Sequence, residues 1–196
     1  MDNMKKRKIG LFFGSFNPVH NGHLMLANYI MEYTDLDSLW FVVSPQNPFK
    51  DESSLLQDRH RFDMLKLAVK DDTRFEVCDI EFDMPKPSYT IDTLKKLSVL
   101  HPDVDFYLIC GMDNLAGFKK WKNSQEILDN YHLMVYPRKN YEGGDLVSHK
   151  SVHIIDAPEI EISSTFIREA VAENKDVRYF MPEKSYKYMI DMNFYK

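Results

Sequence analysis

The stretch GSFNPVHNGHL, from Gly14 to Leu24, separates two segments of different periodicity. Ahead of it, Lys8-Ile9-Gly10-Leu11-Phe12-Phe13 is a nearly continuous apolar run of the kind a buried parallel strand carries. Behind it, Leu24, Ala27 and Met31, with Leu26 and Ile30, recur at helical spacing. A strand, a tight polar turn and a helix start make an anion-binding arrangement. Backbone N–H groups of the turn and of the first helical residues can face an anion, and the helix dipole adds to the attraction. His20 and His23, three apart, can aim both rings at the same anion. Gly22 between them leaves room for a ligand to approach the backbone. Taken alone, the same turn could be a plain joint whose histidines cap the helix.

Outward from this turn, apolar runs at Leu39–Ser44, Phe75–Ile80, Phe106–Cys110, Leu133–Tyr136 and Val152–Ile155 read as further strands. Helical patterns over Leu55–Lys70, Tyr89–Leu100 and Ser124–Asn130 lie between them. The alternation predicts an α/β fold, a doubly wound Rossmann-like parallel sheet with helices on both faces. Two more helices, Ser164–Glu173 and Pro182–Met192, form a small C-terminal helical portion beside the sheet. Ser163 or Ser164 suits the N-cap of the first, and Pro182 the first turn of the second. Residues 1–196 read as a single domain, with no repeat and no low-complexity linker. Gln46–Ser54 and Asn140–Lys150 are expected to be loose. Gly14, Ser44-Pro45 and Gly111 all follow strands directly, so their loops should converge on the ligand-binding rim of such a sheet.

Composition narrows the function. An apolar fraction of 44%, with 13 Phe, 11 Tyr and 11 Met, supports an ordinary globular core. Lys and Arg number 25 against 30 Asp and Glu, a net charge of −5, which makes nucleic acid and anionic membrane poor partners. Lys5-Lys6-Arg7-Lys8 is the basic exception and reads as a solvated leader to the first strand, not a signal peptide. No apolar run approaches the roughly 18 residues of a membrane helix. Cys78 and Cys110 fall in expected strands as buried reduced thiols, without the spacing of a zinc site. The chain reads as a soluble cytoplasmic protein and is compatible with a homo-oligomer.

A second anion motif stands at Ile162-Ser163-Ser164-Thr165-Phe166-Ile167-Arg168. Hydroxyls and free N–H groups gather at the start of a helix whose buried side is Ile167, Ala170 and Val171. Arg168, one turn in, can present a forked donor to phosphate oxygens. A capped surface helix would use the same residues. Two anion sites without a GxxxxGK[ST] loop suggest a polyphosphate gripped along its length. A phosphate monoester acceptor, with a second pKa near ~6, is largely a dianion at neutral pH and needs no general base. Positioning and charge neutralisation then do most of the work, which suits His, Lys and Arg donors without a carboxylate dyad.

GSFNPVHNGH resembles the HxGH signature of the nucleotidyltransferase α/β-phosphodiesterase superfamily, and ISSTFIR, about 140 residues further on, resembles its second signature. Within that superfamily the resemblance to the bacterial nicotinate-nucleotide adenylyltransferases spans nearly the full length. Pro45-Gln46-Asn47-Pro48-Phe49-Lys50 is similar to their loop ending in Pro-His-Lys, and Arg61–Ala68 to the element after it. Pro87-Ser88-Tyr89-Thr90-Ile91-Asp92-Thr93-Leu94 is similar to the segment that closes over the nicotinate ring. Gly111-Met112-Asp113 is similar to their Gly-Ala-Asp, and Lys120-Trp121 to their Lys-Trp. Met181-Pro182, Tyr188-Met189-Ile190 and Asn193-Phe194-Tyr195 are similar to their ending.

The resemblance implies adenylyl transfer from ATP to nicotinate mononucleotide, giving deamido-NAD and pyrophosphate in NAD biosynthesis, with Mg²⁺ held mainly by the ATP phosphates. It implies His20, His23 and Arg168 as catalytic groups. ATP would meet these three together with Gly14, Ser15, Phe16, Lys50, Asp113, Arg138, Ile162, Ser163, Ser164 and Thr165. The acceptor would meet Lys50, Ser88, Tyr89, Thr90, Asp113, Trp121 and Lys122. Trp121 would stack on the pyridine ring, Thr90 and nearby N–H groups would receive the carboxylate, and Asp113 would hold a ribose hydroxyl. As plain residues, Trp121 could be core, Thr90 a helix cap and Lys50 surface.

Three positions depart from the family pattern. Ser15 stands where many members have Gly or Thr, Asn17 replaces the usual Asp, and Phe49 replaces the histidine before Lys50, removing a phosphate donor. Two related readings are transfer to phosphopantetheine, against which Ser88–Thr93 and Trp121 argue, and transfer to nicotinamide mononucleotide. A non-catalytic nucleotide-binding regulatory module is the reading from another class; it predicts ATP binding without pyrophosphate release.

Overall fold

Six strands form one sheet: β1 (Arg7–Gly14), β2 (Ser38–Val43), β3 (Phe75–Cys78), β4 (Val104–Gly111), β5 (His132–Tyr136) and β6 (Val152–Ile154). All neighbours pair in parallel, in the order β3-β2-β1-β4-β5-β6. The computed structural model describes residues 5–45 and 55–196, so the expected loop Gln46–Ser54, with Phe49 and Lys50, lies outside the described residues. Seven helices complete the described chain: α1 (Asn21–Tyr33), α2 (Asp58–Val69), α3 (Thr90–Leu100), α4 (Met112–Gly117), α5 (Ser124–Asn130), α6 (Ser164–Ala172) and α7 (Glu183–Asp191).

The central strands are apolar over most of their length because both faces are covered, while the edge strands β3 and β6 are only partly buried, and the alternation of side chains sorts them between two cores. Phe12, Phe41, Val43 and Ile109 meet residues of α1, α2, α6 and α7 on one face. Ile9, Leu11, Trp40, Val42 and Leu108 meet residues of α3, α4 and α5 on the other. Strand order runs outward in one direction from β1 and in the other from β4. The crevice at their carboxyl ends, beside Gly14 and Gly111, is the topological switch point where such sheets bind ligands.

Four local expectations need correcting. Asn140–Lys150 is not loose throughout: Gly143 and Gly144 adopt φ of 72° and 66°, turning the chain into a helical turn, Gly144–Ser148, whose Leu146 is buried. Ile80 leaves the strand to begin another helical turn, Ile80–Asp83. The helix α4 directly after β4 was not expected, being too short to show periodicity. Lys5–Lys8 is more than a solvated leader, since Arg7 and Lys8 belong to β1 and the Lys8 ammonium binds Asp35 and lies over the Tyr107 ring. Ser163, of the two candidates, caps α6, its Oγ accepting the Phe166 N–H at 3.1 Å. Cys78 and Cys110 are free thiols, and burial pushes them up to about 11 and about 12. No helix among the described residues is long and apolar enough to cross a membrane.

Candidate active site

The turn after β1 is held from behind by its carbonyls. Ser15 C=O accepts from Arg61 Nη1, Asn17 C=O from Arg168 Nη1 at 2.8 Å, and Pro18 C=O from Ser164 Oγ at 2.8 Å. The Asn17 side chain is fixed too, its Oδ1 accepting from the Leu56 N–H at 3.2 Å and the Tyr195 hydroxyl at 2.7 Å. Phe16 takes a φ of 45°, in the left-handed region that bulky residues rarely adopt. Its ring folds back over Gly14, where a Cβ would come within 2.8 Å of it, and meets Phe12 and Phe41 edge-on. The strained conformation is thus offset by packing and by fixed carbonyls.

The helix start brings the two imidazoles face to face, with centroids 3.6 Å apart and planes 22° from parallel. His23 Nδ1 accepts the His20 backbone N–H at 3.2 Å, so the proton of a neutral His23 ring resides on Nε2. His20 is buried, and that burial, helped by the positive charge of Arg138, lowers its pKa to about 4. Near pH 7 it is a neutral imidazole. The space over Gly22 has a different use from the one expected: a Cβ there would lie 3.0 Å from His20 Nδ1 and 3.1 Å from Ile160, so the close approach is made by the His20 ring itself.

The second anion motif closes on the first. Arg168 commits Nη1 to Asn17 and sets Nη2 3.4 Å from Thr165 Oγ1, so the fork expected to reach phosphate is also a tie between motifs. Beyond the end of β4, Asp113 sits in the first turn of α4 with a buried Oδ1 that has no hydrogen-bond partner among the described residues. Arg138 reaches across, Nε 3.9 Å from that oxygen and guanidinium 5.2 Å from the Tyr136 ring centroid. Arg138 and His20 line the same cleft.

At the other end, Thr90 is the first residue of α3 and Ser88-Tyr89 lead into it. Ser88 Oγ and Thr93 Oγ1 donate to the two oxygens of a buried Glu81 carboxylate, at 2.8 and 2.7 Å. Lys122 lies 4.6 Å over the Tyr89 ring and 2.8 Å from Asp92, joining the loop that bears Trp121 to the start of α3. Trp121 is half-buried against Phe118, centroids 5.0 Å apart.

Every expected site residue among the described ones lines a single cleft of about 860 Å³, and Lys50 lies outside them. The cleft also takes Leu26, Glu81, Asn114, Lys120, Pro158 and Ile160, to which the sequence assigned no role. Lys120 alone carried a signal, as half of the Lys-Trp pair.

The profile of the cytidylyltransferase-like family matches residues 11–170. A relative from Flavobacterium johnsoniae, named a probable nicotinate-nucleotide adenylyltransferase, is 48% identical over 191 residues, covering 96% of this chain and 99% of its own. One of the same name from Bacteroides thetaiotaomicron is 46% identical over 189 residues, covering 96% of this chain and 94% of its own. Among solved structures, a Plasmodium falciparum nicotinic acid mononucleotide adenylyltransferase complexed with NaAD superposes with a TM-score of 0.82 over 96% of this chain and 97% of that one. At 21% identity this is a likeness of fold.

Proposed function

The chain belongs to the cytidylyltransferase-like family, among its nicotinate-nucleotide adenylyltransferases, and on that footing we propose that it transfers the adenylyl group of ATP to nicotinate mononucleotide. The observation that carries the reading is the two-ended build of the cleft. The His20–His23 stack and the start of α6 furnish anion donors at one end, and Trp121 and the start of α3 lie at the other.

In this reading an oxygen of the acceptor phosphate attacks the α-phosphorus of ATP in line. The bond from that phosphorus to the bridging oxygen breaks, and pyrophosphate leaves with the electron pair. The acceptor is already a dianion, so no side chain has to remove a proton. His23 donates through Nε2, and neutral His20 and Arg168 add donors where negative charge shifts towards the leaving group. Mg²⁺, carried mainly by the phosphates and water, supplies further neutralisation and orientation. Asp113 takes a ribose hydroxyl, Trp121 stacks on the cationic pyridine, and the start of α3 receives its carboxylate.

The test is pyrophosphate release with Mg-ATP and three acceptors in parallel. A carboxylate at a helix N-terminus gains ~1 kcal/mol or more over a neutral amide, so nicotinate mononucleotide should exceed nicotinamide mononucleotide by roughly tenfold in kcat/KM. Phosphopantetheine should be inert. Preference for either of the others overturns the acceptor assignment and keeps the transfer; ATP binding with no release from any acceptor overturns catalysis.

A further inference from the structure

Arg61, on α2, heads the fully buried side chains of the described residues by size, although it is charged and does not line the cleft. Each of its five N–H bonds has an acceptor. Nε donates to Leu56 C=O at 2.8 Å, Nη1 to Ser15 C=O and to Ser44 C=O at 2.9 Å, and Nη2 to Pro45 C=O at 3.1 Å and Asp58 Oδ1 at 2.7 Å. A guanidinium owns five donors in a rigid plane, so none is left over. Four of the five acceptors are backbone carbonyls, drawn from the turn after β1, the end of β2 and the approach to α2.

Burying a charge costs several kcal/mol before its partners repay it, and an apolar side chain could fill the same space more cheaply. The guanidinium does something an apolar side chain cannot: it dictates which way peptide planes face. A trans peptide is planar, so the Ser15 C=O and the Phe16 N–H point in opposite directions. With the carbonyl drawn back onto Arg61, the Phe16 N–H points away from Arg61, which lies outside the lining of the cleft that Ser15 and Phe16 help to form. Phe16 holds a φ of 45°, a conformation that flipping this peptide would help to relieve.

We propose that Arg61 is the positioning residue of the polyphosphate site: by holding the Ser15 carbonyl it aims the Phe16 N–H at a phosphate oxygen of the bound nucleotide. It touches no substrate. The inference rests on the reading of the turn as the ATP site, and its test separates the two.

The experiment follows the Phe16 amide resonance of ¹⁵N-labelled protein during titration with inorganic pyrophosphate and with Mg-ATP, alongside steady-state kinetics. In the wild-type protein the resonance shifts with both; no shift overturns the turn as a polyphosphate site, whatever Arg61 does. Given that shift, Arg61→Lys, whose ammonium serves at most three acceptors, loses it. Its kcat falls roughly 10- to 100-fold and its KM for ATP rises, while KM for nicotinate mononucleotide stays within about twofold. A folded Arg61→Lys protein with wild-type kinetics and a wild-type Phe16 response reduces Arg61 to structural support and overturns the proposal. If Arg61→Lys does not fold, Asp58→Ala decides, because it deprives the guanidinium of its one charged acceptor. A several-fold rise in KM for ATP with a weakened Phe16 response supports the proposal; wild-type values of both overturn it.

Discussion

Arg168 donates from Nη1 to the carbonyl of Asn17 at 2.8 Å, binding the helix of the second motif to the turn of the first across 151 residues of sequence. Arg168→Lys keeps a charge but gives up the planar fork, so it cannot hold Asn17 and present a second donor in the same geometry. Turnover should fall roughly 100-fold, with a drop in Tm of only a few degrees. Kinetics and a melting curve on one preparation check this. Turnover near wild type would confine Arg168 to the tie.

His23 receives the His20 N–H on Nδ1, so its remaining donor is Nε2. A glutamine places its amide near the Nε2 position and an asparagine near Nδ1. His23→Gln should therefore retain about tenfold more turnover than His23→Asn or His23→Ala, all three with nearly unchanged affinity for nicotinate mononucleotide. The reverse order for Gln and Asn would contradict the tautomer.

His20 sets a pH window. Its pKa is about 4 when folded and 6.5 as a free side chain, so between these values the unfolded chain binds the extra proton. Stability is whole above about pH 6.5 and declines as the pH falls towards 4, by an amount on the order of 3 kcal/mol from this residue. His132, also lowered by burial, adds to the slope, and ion-paired carboxylates act lower still. Urea titrations from pH 4 to 7 should show a shallower slope for His20→Asn than for wild type. Parallel slopes would mean that His20 is charged in the folded protein.

Gly111 has no room for a side chain, since a Cβ would lie 2.3 Å from Asp113 Oδ1 and 3.1 Å from Arg138. Gly111→Ala should push the carboxylate aside and raise KM for ATP several-fold. Gly117→Ala, with nothing within 4 Å, should leave kinetics alone and hold or improve stability by ~0.5–1 kcal/mol. Equal kinetics for the two variants would remove Asp113 from the nucleotide site.

The central strands were legible because they are buried on both faces and so are apolar over most of their length, and the half-buried edge strands β3 and β6 because short apolar stretches at Phe75–Ile80 and Val152–Ile155 still marked them. What escaped was short or conditional. A six-residue α4 has too few turns to display a period, and the helical turn at Gly144–Ser148 depends on two left-handed glycines bringing Leu146 to a core the local sequence does not reveal. The site residues were legible where side-chain chemistry itself is the signal, as with His20, His23 and Arg168. Arg61 carried no such signal: buried arginines are rare, and four of its five partners are carbonyls that every residue possesses. Glu81 was silent for a similar reason, since its worth lies in two hydroxyls that only the fold brings to it.

The turn at Gly14–Leu24 is made early, but what steadies it is made late: Arg61, then Ser164 and Arg168, and then Tyr195. On a ribosome adding roughly 5–20 residues per second, the first strand and helix emerge roughly ten to thirty seconds before the last of these supports. Through that interval the turn has its own residues but none of the distant hydrogen bonds that fix its carbonyls and the Asn17 side chain in the folded protein.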